Sequence, residues 1–312
     1  MRLVVAHHDP ASAQRWRDAL ARELPEAEVV VWEERGSDAS YALASSAPSS
    51  AFFAAHPQLK ALFTTGAGVD KLLANAALPT TLPMIRLEDA GMGVQMANYC
   101  IAEALHWLGR RDEYAEQQQA HLWRQLPEAD LADWPVGVFG LGVLGRRVAN
   151  AFSALGFTVN GYARSARTDA QITCFAESGG AGDFSSFLKA TRLLILLAPL
   201  TPATQDRFDY AALAQLRRGS YVVNVARGGL LVDGALLALL DSGHLAGAAL
   251  DVFRQEPLPT DHAFWTHPKV RITPHISAIT VIGPSVRQIA EKIRRLERAE
   301  PVGGVVDRTR GY

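Results

Sequence analysis

The sequence predicts an α/β protein built from two doubly wound domains, each a parallel sheet with helices on both faces. Three observations predict this class. Short apolar segments alternate with helical patterns along the chain, and one apolar segment runs directly into a glycine-rich turn that opens a helix. The length of 312 residues accounts for the second domain, because single cores rarely grow beyond roughly 250–300 residues.

The first domain is expected to begin with alternating strands and helices. A helix capped by Ser12 follows the first strand and runs to Leu24, and a glycine-containing turn at 66–68 follows the fourth strand. A long helical pattern over 95–111 then leads into a polar, glutamine-rich stretch. The apolar segments that predict strands here are residues 2–7, 29–32, 41–44 and 59–64.

The first domain boundary is expected near the helical pattern over 95–111, and the alternation of strands and helices resumes from Pro135, within the second domain. A helix over 144–155 follows the first strand, and an amphipathic helix over 283–298 closes the chain. The apolar segments that predict its strands are residues 136–139, 158–163, 193–198, 221–226, 245–253 and 270–275. We expect residues 1–102 and 285–312 to form a substrate domain and residues 103–284 a dinucleotide-binding domain, with the active site in the cleft between them.

Composition narrows the classes of partner and compartment. The formal net charge of −1 gives no electrostatic reason to expect nucleic acid or an anionic membrane as partner. No apolar window approaches a transmembrane span of about 20 residues, and the N-terminal apolar run is too short for a signal peptide. Cys100 and Cys174 are expected to be free thiols. Because their spacing in the sequence is not that of metal ligands, no metal site is predicted. These features favour a cytoplasmic enzyme or binding protein.

The glycine-rich turn at 140–145 (GLGVLG) predicts a dinucleotide site. Gly140 permits the tight turn, Gly142 lets backbone approach a pyrophosphate, and Gly145 allows the helix to pack closely on the strand. Leu141 and Leu144 belong to the same turn and are assigned to the cofactor site with it. A glycine pattern of this kind is weak evidence alone, but here an apolar strand precedes it and a helix follows, as in a Rossmann domain.

The end of the next predicted strand bears on the choice of cofactor. NAD-binding domains usually place an acidic residue there for the ribose hydroxyls, whereas this chain has Arg164, Ser165 and Arg167 and no carboxylate before Asp169. Arginines beside a small hydroxyl suit a 2′-phosphate. We therefore expect NADP(H) to be preferred, with NAD(H) still possible. A solvated surface loop is the alternative interpretation of the same residues.

Three residues in the C-terminal half carry the chemistry of a 2-keto acid reaction. Arg227 suits a planar carboxylate, and His275 held by Glu256 can exchange a proton near neutral pH. Taken singly, each has an ordinary interpretation as a surface cation, a turn histidine and a loop acid. Their joint occurrence at strand ends, after the glycine turn, favours a catalytic site.

The order and spacing of these motifs resemble the D-isomer-specific 2-hydroxyacid dehydrogenase family. The resemblance rests on GLGVLG, NVARGGLLVD, ALDVFRQEPLP and TPHISA in the second domain, and on TTGAGVDKLL, RLEDAGMGVQMANY and VVDRTRGY outside it. It extends over nearly the whole chain. Within the family, the sequence is most similar to glyoxylate/hydroxypyruvate reductases of the A type.

The resemblance implies roles for individual residues. Arg227 orients the substrate carboxylate, His275 delivers a proton to the carbonyl oxygen, and Glu256 holds the imidazole. Asp251 approaches the nicotinamide amide, and Ala226 lies beside the cofactor. Backbone N–H groups of Ala67, Gly68 and Val69, in a flavodoxin-like substrate domain, grip the substrate carboxylate. The resemblance also implies a homodimer, for which the helix over 95–111 and the glutamine-rich stretch after it are the expected contact.

The expected function is NADPH-dependent reduction of small 2-keto acids, from glyoxylate to glycolate and from hydroxypyruvate to D-glycerate. One departure concerns the substrate, because reductases of this type often carry a bulky aromatic near 45–48, where this chain has only small residues and a proline. Two alternatives remain at this point: an NAD-linked dehydrogenase of a larger D-2-hydroxy acid, and a non-enzymatic module that senses dinucleotides.

Overall fold

A computed structural model describes residues 1–33, 38–178 and 183–312. The chain divides into two compact units. Residues Met1–Met92 and Thr280–Tyr312 form the first unit, and Gly93–Ile279 form the second. Assignment of these units to substrate and cofactor stays a prediction. Among the residues that the structure describes, no helix combines the length and the apolar character needed to cross a membrane.

Strands and helices alternate through the first 92 residues. In chain order they are β1 (Arg2–Ala6), α1 (Pro10–Glu23), β2 (Glu28–Val31), β3 (Tyr41–Ala44), α2 (Ser50–Ala55), β4 (Ala61–Thr64), α3 (Asp70–Leu73) and β5 (Met84–Ile85).

The remaining elements continue the alternation to the C-terminus. They are α4 (Met92–Leu108), α5 (Arg111–Gln119), β6 (Val136–Phe139), α6 (Val143–Ala154), β7 (Val159–Ser165), β8 (Thr173–Ser178), α7 (Phe184–Lys189), β9 (Leu193–Leu196), α8 (Tyr210–Leu213), β10 (Ser220–Asn224), α9 (Asp233–Asp241), β11 (Leu245–Leu250), β12 (Val270–Ile272) and α10 (Ile282–Glu297). Short 3₁₀ turns lie at Leu131–Asp133, Gly228–Leu230 and Ala263–Trp265.

The first unit contains a parallel sheet of five strands among the described residues, in the order β2-β1-β3-β4-β5. This is the order of flavodoxin-like doubly wound folds. Every residue of β3 and β4 is buried, as expected of central strands covered by helices on both faces. In doubly wound folds, ligands bind outside the carboxyl ends of the strands, which here are the ends of β1, β3 and β4.

The second unit contains a parallel sheet of seven strands within the described ranges, in the order β12-β11-β10-β9-β6-β7-β8. Counted from β6, the order is that of a Rossmann domain with one additional strand at the end of the sheet. The strands β9 and β10 are buried along their whole lengths. The two sheets together confirm the predicted fold class.

The start of the first helix differs from its prediction. Asp9, and not Ser12, is the N-cap of α1: its carboxylate accepts the N–H of Ser12 at 2.8 Å, and Pro10 occupies the first turn. An aspartate followed by proline combines a side-chain acceptor with a residue that has no N–H to satisfy, so it starts a helix more effectively than the serine.

Several elements were not assigned from the sequence, α5 and β8 among them. The polar segment Arg111–Gln119 is the helix α5, formed by residues of high helix propensity although it lacks an apolar stripe. Thr173–Ser178 is the strand β8, which lies at one end of the seven-stranded sheet. An edge strand keeps polar residues at its ends, and its apolar centre of three residues is too short to identify a strand by pattern alone.

Candidate active site

The carboxyl edge of the seven-stranded sheet gathers the predicted site segments. Five adjacent strands each contribute one residue to a single register row, that is, a set of residues paired side by side across the sheet. These residues are Phe139, Leu196, Asn224, Leu250 and Ile272. The glycine turn, Arg227, Asp251 and His275 each follow a member of this row by one to three residues. All four segments therefore leave the sheet at the same edge, where doubly wound folds bind their ligands.

The three glycines of the turn differ in the space that surrounds the position of a side chain. Gly140 has φ +110, and a Cβ on it would lie 2.5 Å from the backbone nitrogen of Ala198. A Cβ on Gly145 would lie 1.8 Å from the carbonyl oxygen of Gly140. Gly142 has an extended backbone and nothing within 4 Å of its Cβ position. Two of the glycines thus serve the fold, and the third leaves open space at the start of a helix.

The helix α6 begins directly at this open position. Gly142 is its N-cap, and no side chain caps its first turn in the described structure. The unpaired N–H groups and the partial positive charge of a helix N-terminus suit a phosphate. The side chain of Leu141 is buried and that of Leu144 packs on the same core, so both leucines belong to the interior of the second unit.

The predicted NADP-selecting residues lie at the end of β7. Arg164 and Ser165 are exposed, and the guanidinium of Arg167 donates to the carbonyl oxygen of Leu141 at 2.7 Å. An open pocket of about 290 Å³ lies beside this contact and is lined by Arg167 and by Arg146 of α6. Arg146 was not anticipated from the sequence. The pocket brings two arginines next to the glycine turn, and the carboxylate of Asp169, 3.7 Å from the guanidinium of Arg146, lines it as well. Two guanidinium groups against one carboxylate leave a net positive lining, which suits an anionic group.

A buried asparagine holds the turn that carries Arg227. Asn224, 1% exposed, ends β10; its side-chain oxygen accepts the N–H of Ala226 at 3.1 Å and its amide donates to the carbonyl of Arg227 at 3.0 Å. The guanidinium of Arg227 donates to the carbonyl oxygen of Ala226 at 2.7 Å. The backbone on both sides of the arginine is therefore fixed by one side chain.

The next residue links this turn to the segment of Glu256. A Cβ on Gly228 would lie 2.0 Å from the carbonyl carbon of Phe253, so the two backbones touch. The N–H of Phe253 donates to one carboxylate oxygen of Glu256 at 3.1 Å. The loops of Arg227 and Glu256 are thus packed together at the sheet edge.

The predicted histidine–glutamate pair is formed. Nδ1 of His275 lies 3.0 Å from the other carboxylate oxygen of Glu256. Since an ionised carboxylate can only accept, Nδ1 carries a hydrogen and Nε2 is the nitrogen turned away from the pair. The His275 side chain is 45% exposed. The ring is therefore oriented at one nitrogen and accessible at the other.

Asp251 holds the loop on which His275 lies. Its buried carboxylate accepts the hydroxyl of Thr273 at 2.6 Å, the N–H of Ile276 at 2.8 Å and the N–H of Ser277 at 2.8 Å. His275 itself has φ +57, in the left-handed region that few residues other than glycine adopt. Bonds on both sides of a strained residue keep its conformation in place.

A tyrosine extends this network to the helix α4. The hydroxyl of Tyr99 lies 2.6 Å from the hydroxyl of Thr273, and burial raises the pKa of Tyr99, so it stays protonated. Asn224, Thr273 and Tyr99 were all missed from the sequence. A polar residue at the end of an apolar strand was the only signal for Asn224, and the partners of the other two are distant in sequence.

The predicted substrate turn lies in the first unit, after β4. The hydroxyl of Thr64 donates to the carbonyl of Gly66 at 2.6 Å and shapes the turn. Over the described ranges, the N–H groups of Ala67, Gly68 and Val69 donate to no protein acceptor. Successive backbone donors of this kind suit an anion. Among all the residues that the structure describes, no three His, Cys, Asp or Glu side chains are arranged to hold a metal ion.

A Rossmann sheet that carries a dinucleotide turn and a carboxylate-paired histidine at one edge is typical of dehydrogenases that move a hydride to or from a carbonyl. Comparison with known proteins gives the family. Residues 101–277 match the model of the D-isomer specific 2-hydroxyacid dehydrogenase, NAD binding domain. Glyoxylate/hydroxypyruvate reductase A of Photorhabdus laumondii subsp. laumondii is 41% identical, with 99% of each chain covered.

Solved structures agree with the sequence match. The NADPH-dependent glyoxylate/hydroxypyruvate reductase of Sinorhizobium meliloti, in complex with NADP and sulfate, has a TM-score of 0.91 at 33% identity, covering 100% of this chain and 99% of that one. A D-isomer specific 2-hydroxyacid dehydrogenase of Xanthobacter autotrophicus Py2, in complex with NADPH and MES, has a TM-score of 0.91 at 34% identity, with the same coverage. The chain belongs to the D-isomer-specific 2-hydroxyacid dehydrogenase family, a family of oxidoreductases, which confirms the resemblance.

Proposed function

We propose that this protein reduces small 2-keto acids with NADPH, converting glyoxylate to glycolate and hydroxypyruvate to D-glycerate. The observation that carries the proposal is the His275–Glu256 pair, with Nδ1 and the carboxylate 3.0 Å apart, at the sheet edge that also carries Arg227 and the glycine turn. The relatives named above support the substrates, since proteins 41% identical to this chain are glyoxylate/hydroxypyruvate reductases.

His275 is the proton donor in this proposal. Glu256 accepts the hydrogen on Nδ1 and stabilises the positive charge of the protonated ring, so that Nε2 presents a proton to the carbonyl oxygen of the substrate. As the carbonyl carbon is reduced, that oxygen gains negative charge and takes the proton, and His275 becomes neutral. The second carboxylate oxygen of Glu256 is held by the N–H of Phe253, which keeps the pair aligned during the transfer.

Arg227 binds the carboxylate of the substrate. A guanidinium matches the two oxygens of a carboxylate and stays charged at every physiological pH. Its backbone is fixed by Asn224, so little freedom is lost when a substrate binds. We propose the N–H groups of Ala67, Gly68 and Val69 as further donors to an anionic substrate, because they form a row without protein acceptors in the described structure.

The residues around the glycine turn fit a dinucleotide phosphate. The space at the Cβ position of Gly142 is open, and α6 begins there. When bound, NADPH supplies the hydride that reduces the carbonyl carbon. Its 2′-phosphate would be held by Arg164, Ser165 and Arg167. Arg146 would contribute to the same site, because it lines one pocket together with Arg167. Ala226 and Asp251 lie at the same edge toward His275, where we propose that they line the nicotinamide end.

A panel of keto acids tests the proposal. The purified protein is assayed for loss of NADPH or NADH absorbance with glyoxylate, hydroxypyruvate and pyruvate. We expect turnover with NADPH on the first two. Arg227→Lys should lower kcat/KM about 10- to 100-fold, since it replaces a bidentate ionic contact worth about 1.5–3 kcal/mol. Arg218→Lys is the matched control. Arg218 is exposed and lies just before the first residue of β10, at the end of the strand opposite to Arg227. Equal rates for all three proteins would contradict the assignment of Arg227.

We also propose a homodimer formed through α4 and the segment that follows it. Several large apolar side chains are exposed there, namely Val94, Leu105, Leu122 and Trp123, the last fully exposed. Exposed apolar groups clustered in one part of a chain favour an interface. Sedimentation at micromolar concentration should give the mass of two chains. A monomer, or a dimer that survives Leu122→Glu combined with Trp123→Glu, would contradict this surface.

The cytoplasm is the compartment that we propose. Cys100 and Cys174 are both buried free thiols, and burial raises the pKa of each, so both stay protonated and unreactive. Reduced thiols of this kind are typical of proteins kept in a reducing compartment.

A further inference from the structure

The carboxyl edge of the five-stranded sheet carries a second group of polar side chains. Ala6, Ala44 and Thr64 lie in one register row across β1, β3 and β4. The strands β1 and β3 are neighbours, yet the chain passes through β2 on the other side of β1 between them. The strand order therefore reverses between β1 and β3. In doubly wound sheets, ligands bind outside the carboxyl ends at such a switch point.

Two histidines follow β1 at this point. The rings of His7 and His8 stack with their centroids 4.7 Å apart and an interplanar angle of 20°. Nδ1 of His7 accepts the N–H of Asp9 at 3.0 Å, so its hydrogen lies on Nε2. Burial, and then the neighbouring His8, lower the pKa of His7, which keeps this ring neutral at pH 7. The stack gives His8 a defined orientation on a neutral partner.

A serine faces the second histidine from the neighbouring strand. Oγ of Ser45, directly after β3, lies 3.4 Å from Nδ1 of His8. The loop after Ser45 is held in place, because the Asn75 amide donates to the carbonyl of Pro48 at 2.8 Å and Ser49 caps α2. The intervening side chains, Ser46 and Ala47, are small. This part of the edge presents an imidazole and a hydroxyl, and residues 45–48 include no aromatic side chain.

We infer that His8 and Ser45 bind the hydroxyl group on the third carbon of hydroxypyruvate and so favour it over pyruvate, an inference that rests on the proposed function. An imidazole and a serine hydroxyl can each donate or accept, as the substrate hydroxyl can. The turn at Ala67–Val69 follows β4, and the end of β4 lies one strand spacing, about 4.8 Å, from the end of β3. That distance is comparable with the length of a three-carbon acid whose carboxylate is held at the turn.

The test compares two substrates of nearly equal size. The ratio of kcat/KM for hydroxypyruvate to kcat/KM for pyruvate is measured with NADPH in three proteins: the wild type, His8→Phe and Ser45→Ala. Glyoxylate, which has no third carbon, serves as the reference substrate. Phenylalanine keeps a ring that can stack on His7 but offers no hydrogen bond. Ser46→Ala is the matched control, since Ser46 is the exposed neighbour of Ser45.

The expected result is a fall of about 3- to 10-fold in the hydroxypyruvate-to-pyruvate ratio for each of the first two variants, the effect of one neutral hydrogen bond at a partly exposed site. Ser46→Ala should leave the ratio unchanged. The inference would be overturned, and the proposed function left intact, if the ratio did not change in either variant. The same holds if the ratio stayed constant because all three substrates lost activity equally. A wild type that reduces no 2-keto acid would overturn the proposed function, and this inference with it.

Discussion

The glycine turn allows fold and cofactor binding to be separated with two substitutions of the same kind. A Cβ at Gly145 would lie 1.8 Å from the carbonyl oxygen of Gly140, whereas a Cβ at Gly142 meets nothing within 4 Å. Gly145→Ala therefore forces backbone apart inside the protein. Gly142→Ala adds a methyl group only to the space in which we place the pyrophosphate.

The expected magnitudes follow from those distances. Overpacking of this type costs about 1–3 kcal/mol, and each kcal/mol lowers Tm by about 2–4 °C in a domain of this size. Gly145→Ala should therefore melt about 2–12 °C below the wild type without cofactor. Gly142 has φ −72, which alanine adopts freely, so its variant should melt within about 3 °C of the wild type. Its Kd for NADPH should rise roughly 10- to 100-fold, the loss of one charge-assisted hydrogen bond.

Thermal unfolding by circular dichroism without cofactor and titration of NADPH fluorescence measure the two quantities. An equal loss of stability in Gly142→Ala and Gly145→Ala would contradict the structural difference between the two glycines. NADPH binding by Gly142→Ala as tight as that of the wild type would contradict the phosphate site, because the open space would then not hold the pyrophosphate.

Three further predictions concern other parts of the molecule. His275→Ala should lower kcat about 10²–10⁴-fold with an unchanged Kd for NADPH; a normal kcat would remove His275 as proton donor. Replacing Arg164 and Arg167 together by alanine should weaken NADPH binding far more than NADH binding, and equal losses in the two titrations would contradict selection of the 2′-phosphate. Glu297 accepts hydrogen bonds from Lys60 and from a tyrosine hydroxyl, and these bonds lower its pKa. Glu297→Gln should therefore destabilise the protein at pH 7 by at most about 1 kcal/mol, a difference that urea unfolding should show disappearing as the pH falls below 4.

Much of the fold could be predicted because its signals are local. Continuous apolar runs such as β9 and β10 indicate buried parallel strands without knowledge of their partners. The glycine turn is equally local, since strand, turn and helix are contiguous in the chain. The start of α1 is less distinct in the sequence, because Asp9 and Ser12 are both good capping residues and only the proline at position 10 distinguishes them.

The hydrogen bonds that hold the loops of the candidate site could not be predicted, because they join residues that are distant in the sequence. Tyr99 reaches Thr273 across 174 positions, and Thr273 reaches Asp251 across 22. No pattern of spacing connects such residues. The register row at the sheet edge also depends on strand order, which the sequence does not state. The segments that carry Arg227, Glu256 and His275 could be found from the sequence, but the loops that hold them required the structure.

The central claim is that hydride passes from NADPH to the carbonyl carbon of a small 2-keto acid. It is tested most directly by incubating the protein with hydroxypyruvate and NADPH deuterated at both hydrogens of the nicotinamide C4. We predict glycerate of the D configuration that carries one deuterium on its second carbon, observed by mass spectrometry and chiral chromatography. Glycerate without deuterium at that carbon, or no glycerate at all, would contradict the claim.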